Sequence, residues 1–202
     1  MNNTDITTID LLRHGKLKTQ GLFCAMPDEP LSEEGWRDLL KATDGKKWDI
    51  IISSTSLRCR CFAEMLAEQT SPEKFSLSNN LREMDFGQWL GLPTKEIWQQ
   101  EHKKLSELWS NPDDFIAPKG ESIKAFNRRV EKAMRHELEL HQGKSILIVT
   151  HSGVIRSILT MALEISNKSA LKFGIDYAQM THLHYYADGE FSLQSLGKCS
   201  NE

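Results

Sequence analysis

The stretch SILIVT at residues 145–150 constrains the fold more than any other part of this 202-residue chain. Its centre is apolar on both faces of a strand, so both faces must be covered. A central strand of a parallel sheet with helices on either side meets that demand. Residues 48–53 (WDIIIS) have the same continuous apolar centre, and residues 6–12 (ITTIDLL) form a shorter β-leaning run. Helical signals lie between them. Ser32 is placed to cap a helix whose first turn holds Glu33 and Glu34, and residues 57–69 read as a second helix. Residues 75–81 give a weaker, more polar strand. Phe126, Val130, Ala133, Met134 and Leu138 recur at helical spacing within 122–141, and Gly143 marks the end of that helix. A short helix is expected at 154–163. Runs at 181–186 and 190–196 flank Asp188-Gly189, a hairpin signal. The expected fold is α/β, a three-layer α/β/α arrangement with a mostly parallel central sheet and a C-terminal antiparallel hairpin. A single domain over 1–202 is expected, with an irregular cap-like insert at about 88–120.

In open α/β sheets, ligands bind beyond the carboxyl ends of the strands. Arg13-His14-Gly15, the turn at 53–58 and His151-Ser152-Gly153 all follow expected strands, so they can meet at one sheet edge. Phosphoryl transfer through a covalent intermediate needs an in-line nucleophile, cations for the phosphoryl oxygens and an acid for the leaving oxygen. A neutral imidazole serves as nucleophile when its second nitrogen donates to a fixed acceptor. Arginine suits the second task because its planar fork is always charged. Gly15 is expected to let the backbone approach a ligand closely.

The formal net charge is -3. That field gives no reason to expect nucleic acid or an anionic membrane as partner, so an anion site must come from local cations. No apolar window is long enough to span a bilayer, and the first ten residues lack the basic start and apolar run of a signal peptide. A cytoplasmic location is expected. Cys24, Cys59, Cys61 and Cys199 fit free thiols there. Cys59-x-Cys61 has no second pair at zinc-finger spacing, and His182 and His184 fit a half-exposed sheet face, so neither metal nor cofactor is expected. His136 and His141 fall late in a helix, where the dipole favours a cation. The sequence leaves a homodimer open.

Five segments in order resemble the motifs of the histidine phosphatase superfamily, the fold shared with phosphoglycerate mutase. They are Leu12-Arg13-His14-Gly15, Ser53-Ser54-Thr55-Ser56-Leu57-Arg58-Cys59, Leu81-Arg82-Glu83-Met84-Asp85-Phe86-Gly87, Gly120-Glu121-Ser122 and Val149-Thr150-His151-Ser152-Gly153. The resemblance implies a phosphoglycerate mutase-like sheet. It also implies His14 as nucleophile, with Arg13, Arg58 and His151 binding the phosphoryl group and Glu83 as proton donor. Ala63 and Leu66 keep the family's helical register, which favours Arg58 over Arg60. Asp85 is the rival of Glu83; in an extended stretch both would face one side.

The implied activity is hydrolysis of a small-molecule phosphate ester. The mutases of the superfamily carry a longer insert between the acid and the second histidine, and the short stretch here points to water as acceptor. The loop 21–31 and Lys119-Gly120-Glu121-Ser122 leading into 126–130 are similar to the α-ribazole phosphatases of cobalamin biosynthesis. Sugar-phosphate and fructose-2,6-bisphosphate-type phosphatases share the core. A benzimidazole base would need an aromatic platform, for which Trp109 and Phe115 are candidates. Three features depart from the family pattern: Lys16 after the signature, Cys24-Ala25 where a polar residue and Gly are common, and Leu57 displaced by one place.

Overall fold

The structure, a computed structural model, describes residues 6–26 and 28–197. Cys199, Pro27 in the first loop, and the first five residues lie outside the described residues. Six strands form one sheet: β1 (Ile6–Arg13), β2 (Ile50–Ser54), β3 (Lys74–Ser78), β4 (Ser145–Thr150), β5 (Met180–Tyr186) and β6 (Phe191–Gly197). The order is β3-β2-β4-β1-β5-β6. The first four in that order run parallel, β5 pairs antiparallel with β1, and β6 returns antiparallel along β5. Gly189 takes φ +92 in the hairpin turn, and Glu190 donates its N–H to the Asp188 carboxylate.

Strand alternation sorts the core into two layers. Ile9, Leu11, Ile50, Ile52, Ile146 and Ile148 face one side, against α5 (Ile123–Leu140) and α6 (Ser152–Ala162). Leu12, Ile51, Leu147 and Val149 face the other, with Leu39 of α1 (Glu33–Thr43) and Phe62 of α2 (Leu57–Thr70). This is the expected three-layer arrangement. Ser32 and Ser122 cap α1 and α5, accepting from the N–H groups of Gly35 and Ala125. Completely burying each large aliphatic side chain contributes about 1.5–3 kcal/mol, so the central strands β2 and β4 are the most strongly specified parts of the sheet.

Two local expectations change, at the third strand and at His141, and the insert takes definite form. The third strand stops at Ser78, and a 3-10 turn (Asn79–Leu81) carries the chain off the sheet toward Glu83. The insert holds two short helices, α3 (Thr94–Gln100) and α4 (His102–Ser110), and a 3-10 turn at Pro112–Asp114. His141 caps the end of α5 but does not serve as a cation there. Burial and the neighbouring Lys74 ammonium hold its pKa below the ordinary value. The seventh helix, α7 (Asn167–Ala170), precedes β5. His182 donates through Nδ1 to the Asp10 carboxylate at 2.6 Å and stacks edge-on with His184, as a sheet-face pair would.

Candidate active site

The carboxyl ends of β1, β2 and β4 converge because β4 lies between the other two. Arg13 pairs with Thr150 in register, and the His14 N–H donates to the Thr150 carbonyl at 2.9 Å. The two histidines that follow these strands have ring centroids 5.2 Å apart at 62°. His14 and His151 are buried, 5% and 0% exposed.

The ring of His14 is fixed in one tautomer. Its Nδ1 lies 2.9 Å from the Gly15 carbonyl, which can only accept, so Nδ1 carries the proton and Nε2 keeps its lone pair. Burial first, then the Arg58 and Arg13 charges, hold its pKa well below the ordinary 6.5, so the ring is neutral near pH 7. His151 is held likewise, by burial and then Arg58. Its Nε2 is 2.9 Å from the Ser54 hydroxyl. That oxygen also accepts from the Ser56 N–H at 3.3 Å. Nδ1 of His151 is buried with no partner.

Arg58 stands in the first turn of α2 at 3% exposure and donates to the Met26 carbonyl at 2.9 Å. Arg60 points away and lies 3.8 Å from Glu64 on the helix surface. Of the two, Arg58 is the one that lines a cavity with His14. Arg13 donates to the Ile175 carbonyl at 2.6 Å. The Nε atoms of Arg13 and Arg58 are, with Nδ1 of His151, buried polar atoms without a partner. Such orphan donors are costly when empty and suit an anion that would satisfy them. Arg13 and Arg58 line a cavity of about 100 Å³ that is also lined by His14, Gln20, Cys24 and Glu83.

Glu83 accepts from the Met84 N–H and, through its other oxygen, from the Gly153 N–H, both at 3.1 Å. Asp85 does not line this cavity; its carboxylate instead accepts from the Gly87 N–H at 2.8 Å. Arg129 holds this loop from α5. It grips the Glu121 carboxylate at 2.8 and 3.0 Å and donates to the carbonyls of Asn80, Arg82 and Glu83. Thr150 adds a bond to the Leu81 carbonyl.

Two expectations are corrected here. Gly15 is required by packing: a Cβ there would come within 2.3 Å of the Gly35 carbonyl of α1. Phe115 is 0% exposed and packs on Trp89 at 6.0 Å, since its backbone bonds to Pro112 and Ile123 turn the ring inward. Trp109, in contrast, is 48% exposed and lines a second cavity of about 240 Å³. That cavity adjoins the first through Phe23, Cys24, Glu83 and Ser152, and Phe86 and Phe126 extend its apolar wall. Lys16 pairs with Glu34 at 2.7 Å on the surface. Ala25 is not among the residues with positive φ. Burial pushes the thiols of Cys24 and Cys59 up to about 12, so neither is a thiolate at neutral pH. Sequence reading gave no role to Ser54, Arg129, Arg156 or Tyr177, although Ser54 and Arg129 stood within quoted motifs.

The chain belongs to the histidine phosphatase superfamily (branch 1), whose sequence profile matches residues 9–198. It is 27% identical over 198 residues to a bifunctional protein of Mycobacterium tuberculosis, a match covering 95% of this chain and 54% of that protein. The chain thus spans about half the length of that curated relative. It is 24% identical to the adenosylcobalamin/alpha-ribazole phosphatase of Escherichia coli, across 82% of this chain and 84% of that one. Among solved structures, Bacillus stearothermophilus YhfR matches with a TM-score of 0.87 at 24% identity, covering 96% of this chain and 98% of the other. Among the described residues no helix is long and apolar enough to cross a membrane, and no cluster of three or more His, Cys, Asp or Glu is arranged to hold a metal ion.

Proposed function

We propose that the chain is a phosphomonoesterase that works through a phosphohistidine on His14. The observation that carries this reading is the fixed tautomer of His14, with a free Nε2 beside the unpartnered Nε groups of Arg13 and Arg58. In the proposed cycle, Nε2 attacks phosphorus as the ester P–O bond breaks, and protonated Glu83 gives its proton to the leaving oxygen. Arg13, Arg58 and His151 hold the charge that spreads over the phosphoryl oxygens. Water then attacks the phosphohistidine, Glu83 takes its proton, and inorganic phosphate leaves with His14 restored.

The second cavity is the proposed seat of the leaving group. Its aromatic walls, Phe23, Phe86, Trp109 and Phe126, suit a flat apolar body. With the likeness to the E. coli enzyme, they support α-ribazole 5'-phosphate as substrate. A second reading is favoured by Arg156 in the same cavity. Two of its N–H groups go to the Phe173 carbonyl, and it forms no ion pair among the described residues. That guanidinium, near Glu83, would suit a smaller anionic or sugar alcohol. Rapid quench of wild type with labelled substrate should trap phosphate on His14, and label on another residue overturns the mechanism. A panel of phosphomonoesters compared by kcat/KM decides the substrate, with α-ribazole phosphate expected above simple sugar phosphates.

A further inference from the structure

The loop before β5 carries no expected motif, yet it reaches the centre of the site. We infer that Tyr177 is a positioning residue for phosphoryl transfer, holding the Arg13 guanidinium by its aromatic face; the inference rests on the phosphatase reading above. The Tyr177 ring centroid lies 3.9 Å from Arg13 Cζ and 5.5 Å from the His14 ring, and Tyr177 lines the phosphoryl cavity. It stands at the mouth, 38% exposed.

Arg13 forms no salt bridge with a carboxylate among the described residues. Its Nη1 is taken by the Ile175 carbonyl, and its Nε is buried and unpaired. A carboxylate would orient the guanidinium but would also neutralise it. An aromatic face orients the plane through its quadrupole and leaves the full charge for a phosphoryl group. The loop is built to hold the ring there. Ala178, the next residue, takes φ +52, a conformation rare for a residue with a Cβ. Its N–H donates to the His14 carbonyl at 3.2 Å. Gln179 braces the loop, accepting from the Asp176 N–H at 2.6 Å and donating to the Gly174 carbonyl at 3.3 Å. The Gln179 carbonyl in turn accepts from the Arg13 N–H. Backbone strain kept in this way beside a reacting group is a mark of positioning.

The test compares Tyr177→Phe and Tyr177→Leu in the wild-type and Arg13→Ala backgrounds. Each is followed by kcat and KM with p-nitrophenyl phosphate, by calorimetric affinity for inorganic phosphate, and by Tm. Tyr177→Phe keeps the ring face and should stay within about twofold of wild type. Tyr177→Leu should lose about tenfold in kcat/KM, mainly in kcat, the scale of a desolvated cation–π contact. It should lose far less once Arg13 is already alanine, because the two residues act as one unit. Equal activity of Tyr177→Leu and wild type, equal losses for Phe and Leu, or full additivity with Arg13→Ala overturns the inference. If wild type binds phosphate but hydrolyses no ester, the phosphatase reading fails. The same cycle read in phosphate affinity then still decides Tyr177.

Discussion

The Glu83 carboxylate and the Gly153 N–H are joined at 3.1 Å, which ties the acid loop to the turn that carries His151. A Cβ at position 153 would come within 2.2 Å of Glu83 Oε1. Gly153→Ala should therefore displace the carboxylate. Its kcat/KM should fall at least about tenfold for alkyl phosphates, within the range of a general acid's contribution. The loss should be smaller for p-nitrophenyl phosphate, whose leaving group needs no proton, and Glu83→Gln should show the same pattern. A loss independent of leaving group would remove Glu83 from the proton-transfer role.

Arg58 and Arg60 differ by half a turn of helix and by their surroundings. Arg58→Ala should cost at least about a hundredfold in kcat/KM, as for other donors aimed at developing charge. Arg58→Lys should recover only part, since a point charge lacks the fork. Arg60→Ala should remain near wild type. Steady-state kinetics of the three variants check this.

Acid should affect activity and stability at different pH. Both buried histidines have pKa values held well below 6.5, so neutral His14 persists below that pH and the acid limb of kcat/KM should lie well below the ordinary histidine value. Stability has the opposite reference. The unfolded histidines take up protons near 6.5 while the folded ones do not. The ligand-free protein is thus most stable above that pH, and it should lose up to about 1.4 kcal/mol per pH unit for each ring as pH falls from 6.5 toward the folded-state values. Urea melts from pH 7.5 to 5 measure the slope. A flat profile would mean that the rings are solvated.

The two aromatic candidates in the insert should separate. Trp109→Ala should lower kcat/KM for an aromatic phosphoester relative to glycerol phosphate by about tenfold, the scale of an aromatic contact with its burial. Phe115→Leu should leave that ratio unchanged and lower Tm, because its ring is in the core. Substrate-pair kinetics and thermal melts distinguish the two outcomes.

Chelation gives a further check. The phosphoryl cavity draws its positive charge from Arg13 and Arg58. Activity after exhaustive EDTA treatment should equal that before it. Loss with EDTA and recovery with added magnesium or zinc would mean that a metal shares the work.

The sheet was legible because β2 and β4 are buried on both faces and leave unbroken apolar runs in the sequence. Arg13, His14 and His151 were legible because they follow such runs directly. Phe115 and Trp109 were not separable, since an irregular segment has no period to say which ring points inward. Residues 79–81 read as part of a strand because apolar spacing cannot reveal a 3-10 turn. Arg129 and Tyr177 act on groups far away in sequence, through carbonyls and a ring face that leave no local pattern. Gly15 read as a ligand-approach glycine, since only the packed helix reveals the Gly35 carbonyl that excludes a Cβ.

The position of β4 between β1 and β2 has a consequence for folding. The middle of the sheet is filled by β4 (Ser145–Thr150), far along the chain from both β1 (Ile6–Arg13) and β2 (Ile50–Ser54), so closing it costs the entropy of a long loop. Until that strand inserts, β1 and β2 have no shared neighbour, and His14 lacks the Thr150 carbonyl that fixes its backbone. High contact order predicts slow folding, with competence arriving only in the last cooperative step. A nascent or proteolytically nicked chain lacking β4 would then be unfolded and would lack both His151 and the backbone partner of His14.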